Sequence, residues 1–151
     1  MNLISNLLMP ENVVAGFEAG SKKRVFEHAG KLFEASHGIA AAQVFESLFS
    51  REKLGSTALG YGIAIPHGRI KGLQDTACAF MRLSDPIDFD APDNLPVDLL
   101  FFLLAPAAAT DLHLQILGEL AQMFSEKSMR DRLRSAADSQ ELHRLLCQWT
   151  P

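Results

Sequence analysis

The sequence lacks the features that mark several large classes of protein. It contains two cysteines in 151 residues, and they do not have CxxC spacing. Cys78 and Cys147 both lie in apolar runs with no cation beside them. We interpret them as small buried hydrophobic residues rather than as a redox pair or a thiol nucleophile.

Charge of one sign is not in large excess either. Fourteen Lys and Arg stand against 18 Asp and Glu, which gives a net charge of -4. A nucleic-acid-binding domain would normally show a basic face. We therefore expect no nucleic-acid partner.

Long apolar segments are missing as well. The first residues, MNLISNLLMPEN, have no basic region and only a short apolar run, unlike a signal peptide. The segment VDLLFFLLAPAAA is shorter than the ~20 residues of a membrane span and is interrupted by a proline. These absences predict a cytoplasmic, reduced protein that does not insert into a membrane.

Nucleotide-binding and hydrolase motifs are also absent. The chain has no GxxxxGK[ST] and no GxSxG. Gly60-Tyr61-Gly62 begins like a dinucleotide fingerprint, but Ile65 stands where the third glycine belongs. We expect neither ATP nor NAD as a ligand, and no cofactor.

The apolar pattern predicts helices at both ends of the chain and strands between them. A one-faced helix is predicted over Ser21–His37, and a second over Ile39 to about Arg51, separated by Gly38. Strands are predicted over Thr76–Leu83 and Val97–Leu104. Between these strands, the segment SDPIDFDAPDNLP is predicted to be a turn-rich connection.

The C-terminal part returns to helical spacing. Two apolar stripes, with a short helix between them, account for most of its hydrophobic residues: Leu112, Ile116, Leu117, Leu120, Ala121 and Phe124, then Met129 and Leu133, then Leu142, Leu145, Leu146 and Trp149. Helices at both ends can cover both faces of a sheet, which predicts an α/β three-layer sandwich. No repeat or linker divides the chain, so residues 1–151 are expected to form a single domain.

The stretch GIAIPHGRI raises a specific question. A short strand over Ile63–Ile65 would end at Pro66, because proline cannot donate to a central ladder. Gly68 follows at once, which predicts a turn with His67 at its corner.

His113 is the second histidine of interest. With Thr110 as N-cap, His113 would be the third residue of a helix, and strand Val97–Leu104 would bring it to the edge of the sheet near His67. Such a histidine pair beside a helix N-terminus suits an anion. Two other readings stay open at this point: two unrelated loop histidines, or a zinc site that adds Asp111 but lacks a fourth ligand. The other histidines, His28, His37 and His143, are interpreted as ordinary helix residues.

Two motifs carry a resemblance to a known family. REKLGSTALGYGIAIPHGR, from Arg51 to Arg69, closely resembles the active-site segment of the fructose/mannitol-type IIA proteins (PTS EIIA type 2) of the bacterial phosphotransferase system. DLHLQILGELAQMF, over 111–124, resembles the family's second histidine motif. The resemblance covers about residues 3 to 148, and the segments SKKRVFEHAGKLF and PIDFDAPDNLPVDLLFFLLAP are similar to the nitrogen-regulatory branch, EIIA-Ntr.

The resemblance implies a fold and a chemistry. It implies a mixed sheet flanked by helices, with His67 as the phosphoryl acceptor, His113 beside it and Arg51 as the active-site arginine. It further implies a phosphoryl relay without metal or cofactor, rather than an enzyme that turns over a small molecule.

The implied partners follow from the same resemblance. The donor would be an HPr-type phosphocarrier (NPr), and the phosphorylation state would regulate target proteins such as potassium-transport components or sensor kinases. The alternative is a sugar-specific IIA component that passes phosphate to a IIB domain for sugar uptake.

Four neighbouring residues carry further expectations. Tyr61 departs from the family, which often has asparagine between these two glycines, so we expect it on the rim of the site or against the donor. Gly68 is expected to allow close approach of the partner's phosphohistidine. The hydroxyls of Ser56 and Thr57 would either orient the site or form a turn.

Overall fold

The computed structural model describes residues 2–108 and 111–151. These residues form six strands and five helices. In chain order, the elements are β1 (Leu8–Phe17), α1 (Lys22–His37), α2 (Ala41–Lys53), β2 (Ala58–Gly60), β3 (Ile63–Ala64), β4 (His67–Ile70), β5 (Ala77–Ile87), β6 (Val97–Pro106), α3 (Asp111–Ser125), α4 (Lys127–Ser135) and α5 (Ser139–Gln148).

The strands form one mixed sheet in the order β1-β5-β6-β3-β2, and β4 also pairs with β6. β1 is parallel to β5, and both β3 and β4 are parallel to β6. β5 and β6 are antiparallel, as are β2 and β3. The two long apolar strands predicted from the sequence are therefore neighbours at the centre of the sheet.

Helices cover both faces of this sheet. Along β6, Leu99, Phe101 and Leu103 face a core shared with α3, α4 and α5, while the alternate residues face a core shared with α1 and α2. The predicted three-layer α/β sandwich is confirmed. No helix in the described part of the chain is long and apolar enough to cross a membrane.

The helix boundaries agree with the local signals. Ser21 caps α1 by accepting a hydrogen bond from the Arg24 amide, and Gly38 ends that helix with a φ of 70°. Cys78 is fully buried and Cys147 is half-buried, and both are free thiols. Burial raises the pKa of both thiols, which leaves them unreactive.

One strand was missed, and one expectation about the strands is wrong. β1 was not predicted, because its burial pattern does not alternate and Pro10 interrupts its apolar residues. β5 continues to Ile87, through Asp85 and Pro86, where the sequence predicted a turn. The pairing of β5 with β6 is irregular between Arg82 and Ile87, and such an irregularity accommodates the proline.

Candidate active site

His67 lies on an interrupted strand rather than at a turn. β3 pairs with β6 at Leu99 and Leu100, and β4 resumes the same parallel pairing with His67 opposite Leu103. The Leu103 amide donates to the Pro66 carbonyl over 3.0 Å, so the chain stays beside β6 between the two pieces. Proline lacks an N–H group, so the ladder breaks at Pro66 and the strand then continues. The expected corner at His67 is wrong.

Residue alternation along β4 decides what each side chain meets. Ile70 belongs to the core beneath α1 and α2, so Gly68 faces that side as well. His67 and Arg69 therefore face the layer of α3. Among the described residues, β4 pairs with β6 alone, so both layers can approach His67 around the other edge of β4.

Gly68 is required by the packing of α2. A Cβ atom at this position would lie 2.1 Å from the Ser47 hydroxyl and 3.1 Å from the Ser47 backbone. The Ser47 hydroxyl also donates to the Arg69 carbonyl over 2.9 Å, which ties α2 to β4. The glycine thus allows a helix of the same chain to approach, while its role toward a partner's phosphohistidine stays a prediction. This packing brings Arg51, in the last turn of α2, to the site.

His113 comes from α3, the helix that follows β6. It is the third residue of that helix, as predicted, and its ring centroid lies 6.0 Å from that of His67, with the rings tilted by 55°. The reading of two unrelated histidines is therefore wrong. The proposed N-cap, Thr110, lies outside the described residues.

A hydrogen bond assigns the nitrogens of the His67 ring. His67 Nδ1 lies 2.8 Å from the Ile65 carbonyl, which can only accept, so Nδ1 carries the proton. In the neutral ring, the free lone pair is therefore on Nε2. His113 Nδ1 is buried with no hydrogen-bond partner among the described residues, which leaves its Nε2 as the nitrogen available to the cavity.

The surroundings keep both rings neutral near pH 7. Burial lowers the pKa of His67, and Arg51 lowers it further, against the opposing effects of the Ile65 hydrogen bond and Glu52. Burial also lowers the pKa of His113, with contributions from His67 and Arg69. A neutral His67 is a nucleophile at physiological pH.

A cavity of about 460 Å³ opens in front of these rings. Arg51 and Arg69 line it together with both histidines. Sequence reasoning missed Arg69, although its position two residues after His67 in a strand places both side chains on one face. The cavity therefore combines a nucleophile with two guanidinium groups, which suits a phosphoryl group.

The cavity has an apolar collar. Leu54 and Leu114 line it and are 84% and 67% exposed, far above the exposure usual for leucine. Leu117 adds a partly buried apolar surface. Exposed apolar side chains around a charged cavity are typical of a surface that docks another protein.

Two hydroxyls considered for the site have structural roles. Ser56 donates to the Phe89 carbonyl over 2.7 Å, and Thr57 donates to the Glu52 carboxylate over 2.5 Å. Neither residue lines the cavity. Both hydroxyls therefore hold the segment between α2 and β2 in place.

Tyr61 lies away from the site. It occupies the turn between β2 and β3, six residues before His67 along a line parallel to β6, which amounts to about 20 Å of strand. Its ring lies 4.3 Å from the Arg130 guanidinium, and its φ is 58°. The expectation that Tyr61 lines the rim of the site is wrong.

The zinc alternative receives no support. Within residues 2–108 and 111–151, no group of three or more histidine, cysteine or acidic side chains is arranged to hold a metal ion. The remaining histidines have structural contacts. His28 stacks on Phe17, the Ser36 hydroxyl lies beside His37, and His143 donates to the Leu8 carbonyl.

Comparison with known proteins identifies the family. Residues 6–149 match the family described as the phosphoenolpyruvate-dependent sugar phosphotransferase system, EIIA 2. The chain belongs to the PTS EIIA type-2 family. Proteins of this family accept phosphate from HPr-type carriers and pass it to partners, and the chain is a phosphocarrier of this kind.

Several relatives of this EIIA type-2 protein carry a regulatory name. A nitrogen regulatory protein of Pseudomonas aeruginosa is 45% identical over 144 residues, which cover 95% of this chain and 94% of the relative. The crystal structure of nitrogen regulatory protein IIA-Ntr from Neisseria meningitidis has a TM-score of 0.92 at 48% identity and covers 96% of this chain and 99% of its own.

A sugar-specific structure is more distant. The mannitol IIA protein of Escherichia coli has a TM-score of 0.76 at 26% identity and covers 91% of this chain and 97% of its own. Both the fold and the identity thus favour the nitrogen-regulatory branch of the EIIA type-2 family, as the sequence motifs predicted.

Proposed function

We propose that this chain, acting as a single EIIA type-2 domain, accepts a phosphoryl group on His67 Nε2 from an NPr-type phosphocarrier and regulates target proteins by its phosphorylation state. The observation that carries the proposal is the hydrogen bond from His67 Nδ1–H to the Ile65 carbonyl, which leaves the Nε2 lone pair free at the cavity.

The transfer step needs no proton to move at His67. The Nε2 lone pair forms a bond to the phosphorus atom of the donor's phosphohistidine. The P–N bond in the donor breaks, and its electron pair stays on the donor nitrogen. The proton stays on Nδ1 throughout, hydrogen-bonded to the Ile65 carbonyl, so the same nitrogen carries it before and after transfer.

Cationic and polar side chains that line the cavity can stabilise the negative charge of the phosphoryl group. A phosphorylated side chain carries close to two negative charges near neutral pH. Arg51 and Arg69 approach from two elements, and the neutral His113 ring lines the same cavity. Phosphoryl transfer depends mainly on such positioning and charge stabilisation.

Regulation is favoured over sugar transport as the output. The relatives named as nitrogen regulatory proteins match nearly the whole chain, at higher identity than the mannitol protein. We therefore propose regulatory targets such as potassium-transport components or sensor kinases as readers of phosphorylated His67. Transfer to a IIB domain for sugar uptake is the alternative.

The first test is phosphoryl transfer from a phosphorylated HPr-type carrier, followed by intact mass. Wild type should gain one acid-labile phosphoryl group and His67→Ala none. His28→Ala is the matched control, because it removes a histidine stacked on Phe17, outside the cavity. Equal phosphorylation of wild type and His67→Ala would refute the assigned acceptor.

The output is tested separately by adding a purified mannitol-type IIB domain to the phosphorylated protein. Retention of the phosphoryl group is expected for a regulatory protein. Rapid loss to the IIB cysteine would favour the sugar-specific alternative.

A further inference from the structure

A buried carboxylate belongs to the residue that follows the cavity-lining Arg51. Glu52 follows Arg51 in α2, and its side chain is 4% exposed. Acidic side chains are almost never buried to this extent unless they are paired. The partners of the Glu52 carboxylate therefore indicate which part of the structure it stabilises.

Glu52 is fully engaged by two other parts of the chain. The Lys22 ammonium, at the start of α1, lies 2.9 Å from its carboxylate. The Thr57 amide donates to both carboxylate oxygens over 3.2 Å, and the Thr57 hydroxyl donates to one of them over 2.5 Å. Glu52 thereby closes the loop between α2 and β2 back onto the end of α2.

That loop holds the active-site arginine. Arg51 Nη1 donates to the Gly55 carbonyl over 2.9 Å, so the guanidinium is tethered to the segment that Glu52 closes. Leu54, the most exposed leucine of the collar, is in the same segment. The loop thus positions both a charged and an apolar part of the site.

We propose that Glu52 is a positioning residue for phosphoryl transfer, which acts by holding the 54–57 loop and, through Gly55, the guanidinium of Arg51. Glu52 does not line the cavity and does not touch the phosphoryl group. The inference rests on the proposed function, because it assigns Glu52 a role in transfer to His67.

The charges around Glu52 indicate that it does more than stabilise local packing. Glu52 and Arg51 act on His67 in opposite directions, since the carboxylate raises its pKa and the guanidinium lowers it. Lys22 has a second partner, Asp90, at 3.2 Å, whose side chain is 80% exposed. Substitution of Asp90 is therefore a suitable control, because it removes the exposed partner of Lys22 and leaves the Lys22–Glu52 ion pair in place.

The test is a double-mutant cycle on the rate of phosphoryl acceptance. The variants are Glu52→Gln, which keeps the shape and removes the charge, then Arg51→Ala, and then both together. Misplacing a group by about 1 Å can cost up to ~10² in rate, and we expect Glu52→Gln to be slowed within this range. The double variant should be no slower than Arg51→Ala, because Glu52 acts through Arg51. Asp90→Asn should keep the wild-type rate.

A merely structural role predicts a different pattern. In that case Glu52→Gln would slow transfer by the same factor in both backgrounds, and that result would overturn the proposal, as would a wild-type rate in Glu52→Gln. Thr57→Val is the second variant. It removes the hydroxyl donor but keeps the carboxylate, and it should slow transfer less than Glu52→Gln.

An NMR measurement keeps this inference separate from the proposed function. The order parameter of the Arg51 Nε–H group should fall in Glu52→Gln, and this readout needs no phosphoryl donor. If the wild-type protein accepts no phosphoryl group, the proposed function fails. An unchanged order parameter overturns the positioning role instead.

Discussion

The arginines at the two ends of the line formed by β3 and β4 have different partners. At the His67 end, Arg51 and Arg69 line the cavity, and neither forms an ion pair with any described residue. At the Tyr61 end, Arg134 binds Asp98 through two nitrogens, at 2.9 and 3.0 Å, and also donates to the Tyr61 carbonyl. Cations that lack an anionic partner therefore occur beside the nucleophile.

The second arginine at the Tyr61 end also has hydrogen-bonding groups engaged by other residues. Arg130 donates to the carbonyls of Phe124 and Ser125, which end α3, and its guanidinium lies against the Tyr61 ring. These contacts connect α3, α4 and the turn between β2 and β3. The comparison teaches that neither arginine count nor the lack of an ion pair locates a phosphate site, because Arg130 also has no acidic partner among the described residues; the arginines of the His67 end differ in that they line an open cavity.

The largest effect that separates the two ends is expected from His113→Ala. Losing one well-placed stabilising group typically costs ~10²–10³ in rate, and we expect a loss of this size in phosphoryl acceptance, measured by rapid quench and intact mass. Arg134→Ala is the matched control at the other end. It should keep the rate while lowering the free energy of unfolding by about 1 kcal/mol, as for a partly exposed ion pair. A wild-type rate in His113→Ala would remove its assigned role.

A smaller effect is expected in the titration of His67. Burial lowers the pKa of the folded ring below its ordinary value of 6.5. The neutral, attacking ring therefore dominates at pH 7 and becomes protonated only as the pH falls below 6.5. Arg51→Ala removes a cation that lowers this pKa, so the midpoint should rise toward the ordinary value. The midpoint is measured by nitrogen-15 NMR of the imidazole, with spectra recorded roughly every half pH unit from about pH 4 to about pH 8.

The titration has its own control. Asp111→Asn changes a charge in the first turn of α3 without altering a cation beside His67. An Arg51→Ala midpoint that stays at the wild-type value would show that the guanidinium does not act on the ring.

The smallest effect is expected from Tyr61→Asn. Asparagine tolerates the left-handed backbone that Tyr61 adopts, with its φ of 58°. The variant loses only the contact with the Arg130 guanidinium, worth about 0.5–1 kcal/mol at an exposed site. Stability by urea unfolding should fall by this amount, and the rates with two different HPr-type carriers should not change. A changed preference between the carriers would restore the role in donor choice that the sequence suggested.

Much of the fold could be predicted because its signals are local. The apolar stripes of α1 and α2, the stop at Gly38 and the long runs of β5 and β6 each depend on neighbouring residues. β1 escaped prediction because an edge strand with a proline has no regular alternation. The extension of β5 through Pro86 escaped for a related reason, since a proline is compatible with an irregular part of a ladder.

The site was predictable in its members but not in its arrangement. The motifs that resemble the EIIA type-2 family identified His67, His113 and Arg51, and the structure brings all three to one cavity. Arg69 was missed because a turn was expected at His67, and only a strand places residues two apart on the same face. Glu52 was missed because burial of a carboxylate depends on residues far along the chain.

The sequence by itself determined the family, the three-layer order of elements and the residues able to carry a phosphoryl group. These follow from residue type and short-range spacing, which do not depend on how the chain folds back on itself. The tertiary structure decided that the free lone pair of His67 is on Nε2, that Gly68 lies against α2 and that Tyr61 lies outside the cavity. Each of these depends on a contact across strands or layers, and such contacts form only when distant segments pack together.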